Sequence, residues 1–204
     1  MFDARSLRLI AITDDLRDGR DGLVARAAAA VRGGATMIQL RLKDVPPREL
    51  VEVARALVDT ISVPIIVSER YDVALAAGAA GVHLGPHDLV ASEVRRAVPF
   101  PFVIGASVGS EEEVGRAEGA DYVGIGPVFP PTPEADAARA LGSGEFSRLA
   151  RLSSRPAVAI GGITAANTRE VFAQGASGVA VIRAILAADD PEAAARSLSS
   201  AIER

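Results

Sequence analysis

Apolar residues in this chain fall into two alternating patterns: short, mostly apolar runs of four or five, and longer Ala-rich stretches with helical spacing. Four times a helix-like stretch ends in Gly-Ala and passes straight into an apolar run. The junctions are Gly34-Ala35 before Met37–Arg41, Gly78-Ala79 before Val82–Gly85, Gly119-Ala120 before Tyr122–Gly126, and Gly175-Ala176 before Val179–Ile182. They lie 44, 41 and 56 residues apart. One helix with its strand needs roughly 20–30 residues, because a crossover helix has to span the strand and return. Each interval therefore has room for two such units. A second set of apolar runs supplies the remaining strands: Leu9–Thr13, Pro64–Val67, Phe102–Gly105 and Ala157–Ile160. Eight strands, each followed by a helical pattern, predict an α/β fold, a single-domain (β/α)8 TIM barrel over residues 1–204.

The punctuation agrees with that count. Gly33-Gly34 closes a helix over Leu23–Arg32, since glycine permits the positive φ of a helix stop. Pro46-Pro47 opens a helix reaching about Asp59, and Pro191 opens the last, Glu192–Ile202. Ser92 before Glu93 reads as an N-cap, and Ser110 with Glu113 fits a capping box. The third junction interval exceeds the others by 12 and 15 residues, and the excess falls after the sixth strand, from Pro127 to Gly142. A long loop at the C-terminal end of a barrel strand is where this architecture covers its substrates; a tolerated surface insertion is the alternative.

Composition narrows the class. With 49% hydrophobic residues and no Trp, the core must be built from Ala, Val, Ile and Leu, as parallel strands covered on both faces require. The absence of Cys excludes disulfides, thiolate metal sites and Cys nucleophiles. A net charge of −4 without clustered Lys or Arg argues against a nucleic-acid partner. No apolar run reaches the roughly 18–20 residues of a membrane span, and Met1–Arg5 lacks the apolar core of a secretory signal. The expectation is a cytoplasmic protein without a membrane partner; homo-oligomerisation is left open.

Candidate chemistry sits at the C-terminal strand ends, which form the mouth of such a barrel. Gln39 and Arg41 lie two apart on the second strand and share a face, with Lys43 beyond them. Arg offers a planar fork and Lys a mobile point charge, a set suited to a phosphate or diphosphate. The competing role for Arg41 is an ion pair with Asp14. Ser68-Glu69-Arg70 ends the third strand and His83-Leu84-Gly85-Pro86-His87-Asp88 the fourth. Glu69 and Asp88, on neighbouring strand ends, are a carboxylate pair for Mg²⁺, which completes its octahedron with phosphate and water. Alternatively Asp88 caps the following helix and Glu69 pairs with Arg70. His83 reads as a packed core residue, and His87 is freer to act but has no partner in view. Ser107 ends the fifth strand beside Gly109. Gly161-Gly162-Ile163-Thr164 follows the seventh strand, Thr164 placed to start a helix, and Arg183 follows the eighth. Glycines there bare backbone N–H groups, and the loops after strands seven and eight commonly grip phosphate in this fold; a plain tight turn is the other reading.

Taken in order, several blocks resemble the thiamine-phosphate synthase and thiazole tautomerase family over nearly the whole chain. They are Ala11–Asp15, Ile38–Lys43, Gly81–Gly85, Asp121–Phe129 and Val158–Ile163. The resemblance implies a synthase that joins a pyrimidine diphosphate to thiazole phosphate, with Mg²⁺ as cofactor. It places Gln39, Arg41, Lys43 and Ser107 toward the diphosphate, Ser68 and Thr132 against substrate, and Glu69 and Asp88 on the metal. Gly161, Gly162, Ile182 and Arg183 would hold the thiazole phosphate. Four segments depart from the family pattern. Ser68-Glu69 stands for Asn-Asp, Pro131-Thr132-Pro133-Glu134 for a Thr-x-Thr-Lys loop, and Arg183 for a serine. Gly109 stands where the tautomerases carry a catalytic His. Glu134 in place of lysine would repel a diphosphate, with Arg139 the nearby cation that could grip it instead. A synthase is the first reading; a tautomerase-like enzyme and a non-catalytic binder of thiazole phosphate or thiamine phosphate are its alternatives.

Overall fold

The computed structural model describes residues 3–13, 15–130 and 140–203. Eight parallel strands pair in sequence order and the last closes on the first. They are β1 (Leu9–Ile12), β2 (Met37–Leu40), β3 (Ile65–Ser68), β4 (Gly81–Leu84), β5 (Val103–Val108), β6 (Tyr122–Ile125), β7 (Ala157–Ile160) and β8 (Gly178–Val181). Helices α1 (Gly19–Arg32), α2 (Pro47–Thr60), α3 (Tyr71–Ala77), α4 (Ala91–Ala97), α5 (Glu111–Arg116), α6 (Gly142–Ser153) and α7 (Thr168–Ala173) form the crossovers. After β8 come a short α8 (Arg183–Leu186) and the closing α9 (Pro191–Glu203).

The four junction glycines, Gly34, Gly78, Gly119 and Gly175, all have positive φ, between 72° and 108°. That left-handed step ends each helix and swings the chain into its strand within two residues, a conformation costly for any residue with a Cβ. Two layers of core follow. Ile10, Ile12, Met37, Ile66, Val158 and Ala180 fill the barrel, with Leu7 from the 3₁₀ turn Ala4–Leu7 sealing its N-terminal end. Outside, fully buried alanines such as Ala27, Ala30, Ala54 and Ala74 let the helices lie close against the sheet.

Several expected boundaries move. The first long helix starts at Gly19, four residues before Leu23, and β5 runs to Val108 instead of Gly105. Ser92 is not a cap: α4 begins at Ala91, preceded by an extended Val90. Nor does Thr164 start a helix. Its carbonyl accepts the N–H groups of Asn167 and Thr168 in a turn, and α7 begins at Thr168. Ser110 does cap α5, accepting Glu113 N–H at 3.4 Å, while the Glu113 carboxylate reaches one residue further back, to Gly109 N–H at 2.5 Å.

Candidate functional site

Inward-facing positions repeat every second residue along a strand, so a barrel strand that points an apolar residue inward near its start can point a polar one inward near its end. β2 carries Met37 and then Gln39, and β3 carries Ile66 and then Ser68. β4 and β5 end their inward series in His83 and Ser107. The C-terminal tier of the barrel interior is therefore polar. Gln39, only 6% exposed, donates its Nε2–H to Ser68 Oγ at 2.9 Å. The His83 ring sits between Tyr122 Oη at Nδ1 and Ser107 Oγ at Nε2, each 3.0 Å away. Desolvation by the surrounding barrel lowers the His83 pKa to about 4, so the imidazole is neutral at physiological pH; burial raises that of the Tyr122 hydroxyl.

Above this tier the β2 and β3 ends enclose a cleft of about 330 Å³ that includes Arg41, Lys43, Ser68 and Glu69. The buried Thr13 hydroxyl accepts Arg41 N–H at 2.9 Å and donates to the Arg41 carbonyl at 3.1 Å, fixing the backbone from which that side chain departs. Neither guanidinium nor ammonium forms an ion pair among the described residues; the proposed Arg41 partner, Asp14, lies outside them. Glu69 is held at φ +68° inside a three-residue turn closed by Arg70 N–H to the Ser68 carbonyl at 2.7 Å. That conformation costs a non-glycine residue roughly 1–3 kcal/mol and tends to be kept where a side chain must be aimed. Arg70 does not pair with Glu69. It forms a two-pronged bond with Asp72, at 2.8 and 2.6 Å, and leaves the Glu69 carboxylate without a protein partner among the described residues.

A second cleft, of about 410 Å³, lies between the β7 and β8 ends and takes in Gly161, Gly162, Ile182 and Arg183. Gly161 and Gly162 have φ +92° and +63°, and a Cβ on either would come within 2.6 Å of the Pro127–Pro130 segment. Two constraints, backbone sign and close approach, thus require glycine here. Among the described residues neither N–H has an acceptor, and Arg183 is exposed and without an acid partner. The loop after β6 starts directly beside this cleft, and its two ends are tied together by Leu141 N–H to Pro127 O at 2.8 Å and Gly142 N–H to Val128 O at 2.9 Å. Pro131, Thr132, Pro133, Glu134 and Arg139 lie outside the described residues.

Asp88 uses one oxygen to accept Gly85 N–H at 2.6 Å, closing its own turn, which leaves the other oxygen for a ligand. Glu69 reaches β4 through its N–H, bound to the His83 carbonyl at 2.8 Å, so both carboxylates come from adjacent strand ends. No group of three or more His, Cys, Asp or Glu that could hold a metal occurs among the described residues. Two carboxylates fit an Mg²⁺ ion only when a phosphorylated ligand supplies further oxygens. His87 is exposed, and Gly109 offers backbone alone where a tautomerase histidine would stand.

The structure thus brings Arg41, Lys43, Ser68 and Glu69 into one cleft and Gly161, Gly162, Ile182 and Arg183 into another. Gln39 and Ser107 lie in the polar tier of the interior, and Asp88 stands on the β4 loop. The sequence reading missed Tyr122 and the part played by His83. The signal for both was inward alternation with glycines at Gly105 and Gly124, which leave room for two rings.

A family model described as thiamine monophosphate synthase matches residues 9–185. A thiamine-phosphate synthase from Methanoculleus marisnigri is 50% identical over 184 residues, 88% of this chain and 86% of the relative. One from Roseiflexus sp. is 43% identical over 196 residues, covering 94% and 83%. Among solved structures, a thiamine phosphate pyrophosphorylase from Pyrococcus furiosus superimposes with a TM-score of 0.85 at 39% identity, over 98% of this chain and 97% of that one.

Proposed function

Since the chain belongs to the thiamine monophosphate synthase family, we propose that it is a transferase of thiamine biosynthesis that joins a hydroxymethylpyrimidine diphosphate to a thiazole phosphate and releases diphosphate. The observation that carries this reading is the pair of clefts at one rim, each with cations that no acid neutralises among the described residues. The reaction needs two anionic substrates side by side, one with a monophosphate and one with a diphosphate. Bare N–H groups at Gly161 and Gly162, with Arg183 beside them, suit the monophosphate, and the Ile182 turn shapes its seat.

On the other side, Arg41, Lys43 and Ser107 face the diphosphate. As the thiazole nitrogen approaches the pyrimidine methylene and the C–O bond to diphosphate breaks, negative charge grows on the leaving oxygens. Fixed cations and donors that already point there stabilise that charge without reorganising. Gln39 and Ser68, bonded to each other, present a rigid polar surface to the pyrimidine side. Glu69 and Asp88 would hold Mg²⁺, which when bound neutralises part of the diphosphate charge. The continuous barrel from β1 to β8 supports reading the chain as one domain. That no described helix is long and apolar enough to cross a membrane suits small phosphorylated substrates met in water.

The test is a diphosphate-release assay on purified protein. Release that requires both substrates and Mg²⁺, with thiamine phosphate formed in equal amount, is expected. Folded protein that binds thiazole phosphate but releases no diphosphate would overturn the transferase reading in favour of a binding protein.

A further inference from the structure

β1 and β2 run side by side as far as Ile12 and Gln39, their last pair in register, and Thr13 N–H still reaches the Gln39 carbonyl at 2.9 Å. In a regular parallel ladder the next bond would run from Arg41 N–H to the Thr13 carbonyl. It runs instead to the Thr13 hydroxyl, at 2.9 Å, and that hydroxyl in turn donates to the Arg41 carbonyl at 3.1 Å. One fully buried side chain thus holds both main-chain groups of Arg41, the first residue beyond β2.

A buried threonine hydroxyl needs a partner of its own, and one carbonyl would satisfy it. What sets this hydroxyl apart is the residue it holds. The β1–β2 ladder ends before Arg41, yet Arg41 lines the cleft with Lys43 and Glu69, and its guanidinium has no acid partner among the described residues. A cation aimed by its backbone, and not by an ion pair, meets an anionic ligand without first giving up a partner. Valine would fill the same buried space at a lower desolvation cost, but it would hold neither main-chain group. We propose that Thr13 is a positioning residue for the diphosphate side of the reaction. Its hydroxyl fixes the Arg41 backbone so that the guanidinium already faces the cleft when the ligand arrives. This rests on the reading of Arg41 as a diphosphate contact.

Amide exchange followed by NMR on the ligand-free wild-type protein needs no variant. Arg41 N–H should exchange as slowly as the β2 amides although it lies outside that strand; exchange at the rate of an open loop would overturn the inference. Binding of inorganic diphosphate with Mg²⁺ is then measured by calorimetry. Arg41→Ala should weaken it roughly tenfold or more, the scale of a charged hydrogen bond. Thr13→Val keeps the shape of the side chain and loses the hydroxyl, and should weaken it by a similar factor while leaving thiazole-phosphate affinity unchanged. Thr13→Ser restores the hydroxyl and should bind diphosphate as the wild type does. The double variant, Thr13→Val with Arg41→Ala, should bind no more weakly than Arg41→Ala, because the threonine acts only through that arginine. A threonine that merely supports the fold would weaken both ligands alike and add in full to Arg41→Ala. Either of those results, or wild-type diphosphate affinity in Thr13→Val, would overturn the inference and leave the site reading intact. Undiminished diphosphate affinity in Arg41→Ala, or none in the wild type, would overturn the site reading itself.

Discussion

Arg183 is the most direct probe of the monophosphate cleft, because removing it disturbs nothing else. It begins α8, is exposed, and makes no ion pair among the described residues, so truncation to Ala orphans no buried partner. The loss should therefore equal the interaction with bound phosphate alone. A charge-assisted hydrogen bond contributes about 1.5–3 kcal/mol, which corresponds to a rise of roughly 10- to 150-fold in the Kd for thiazole phosphate. Because the guanidinium is exposed, the lower end applies at physiological salt and the upper at low ionic strength. Arg183→Lys keeps the charge but loses the fork, and should recover only part of the loss. Isothermal titration calorimetry at two salt concentrations measures all three proteins, and their Tm values should agree, as surface substitutions usually shift stability by about 0.5 kcal/mol or less. An unchanged Kd would place the phosphate elsewhere. An equal loss for the unphosphorylated thiazole alcohol would show that Arg183 does not act on the phosphate.

Three further outcomes follow from the same geometry. Gly162→Ala puts a Cβ 2.6 Å from two carbonyl oxygens at φ +63°, so it should cost at least the ~1–2 kcal/mol of a left-handed residue and weaken thiazole-phosphate binding; denaturant melts and calorimetry check both, and retained affinity refutes the turn as phosphate seat. Mg²⁺ titrated into the protein should bind tightly only with diphosphate present, and Glu69→Gln or Asp88→Asn should abolish that gain; equal binding with and without diphosphate, or none in either case, sinks the carboxylate pair. The His83 pKa, lowered from 6.5 to about 4, means the unfolded chain takes up a proton that the native state refuses as pH falls. Its contribution is full above pH 6.5 and lost toward pH 4, by about 3 kcal/mol at most, so wild-type stability should fall more steeply through that window than that of His83→Phe; parallel pH profiles from urea melts would refute it.

The barrel was legible because its signals are local. A Gly-Ala pair that ends a helix and opens a strand encodes its turn in two residues, and the junction glycines do adopt the positive φ that the pairing implies. Helix starts were less legible where a later side chain mimicked a cap. Ser92 looks like an N-cap, but the extended backbone that begins α4 belongs to Val90, and the hydrogen bond that would have marked the difference is not written in sequence. The clefts were legible for a different reason: in a parallel barrel every strand ends at the same rim, so naming the last polar residue of each strand names the rim itself.

What escaped is everything that depends on register between strands. Whether Ser68 meets Gln39 or His83 meets Ser107 is decided by the stagger of neighbouring strands, and a one-residue slip would turn each of these side chains away from the barrel interior. Glycine carries that information indirectly. Gly105 and Gly124 look like gaps in two apolar strands, and each would weaken an isolated strand. In the closed barrel they are the volume into which Tyr122 and His83 fit. The same logic separates Glu69 from Asp88. Asp88 closes its own turn and would be an unremarkable cap without its neighbour, whereas Glu69 is held in a strained backbone state, and the adjacent Arg70 turns away to Asp72. A carboxylate kept strained and unpaired beside two cations that no acid neutralises among the described residues suits a charged ligand that completes the set, as the proposed diphosphate with Mg²⁺ would.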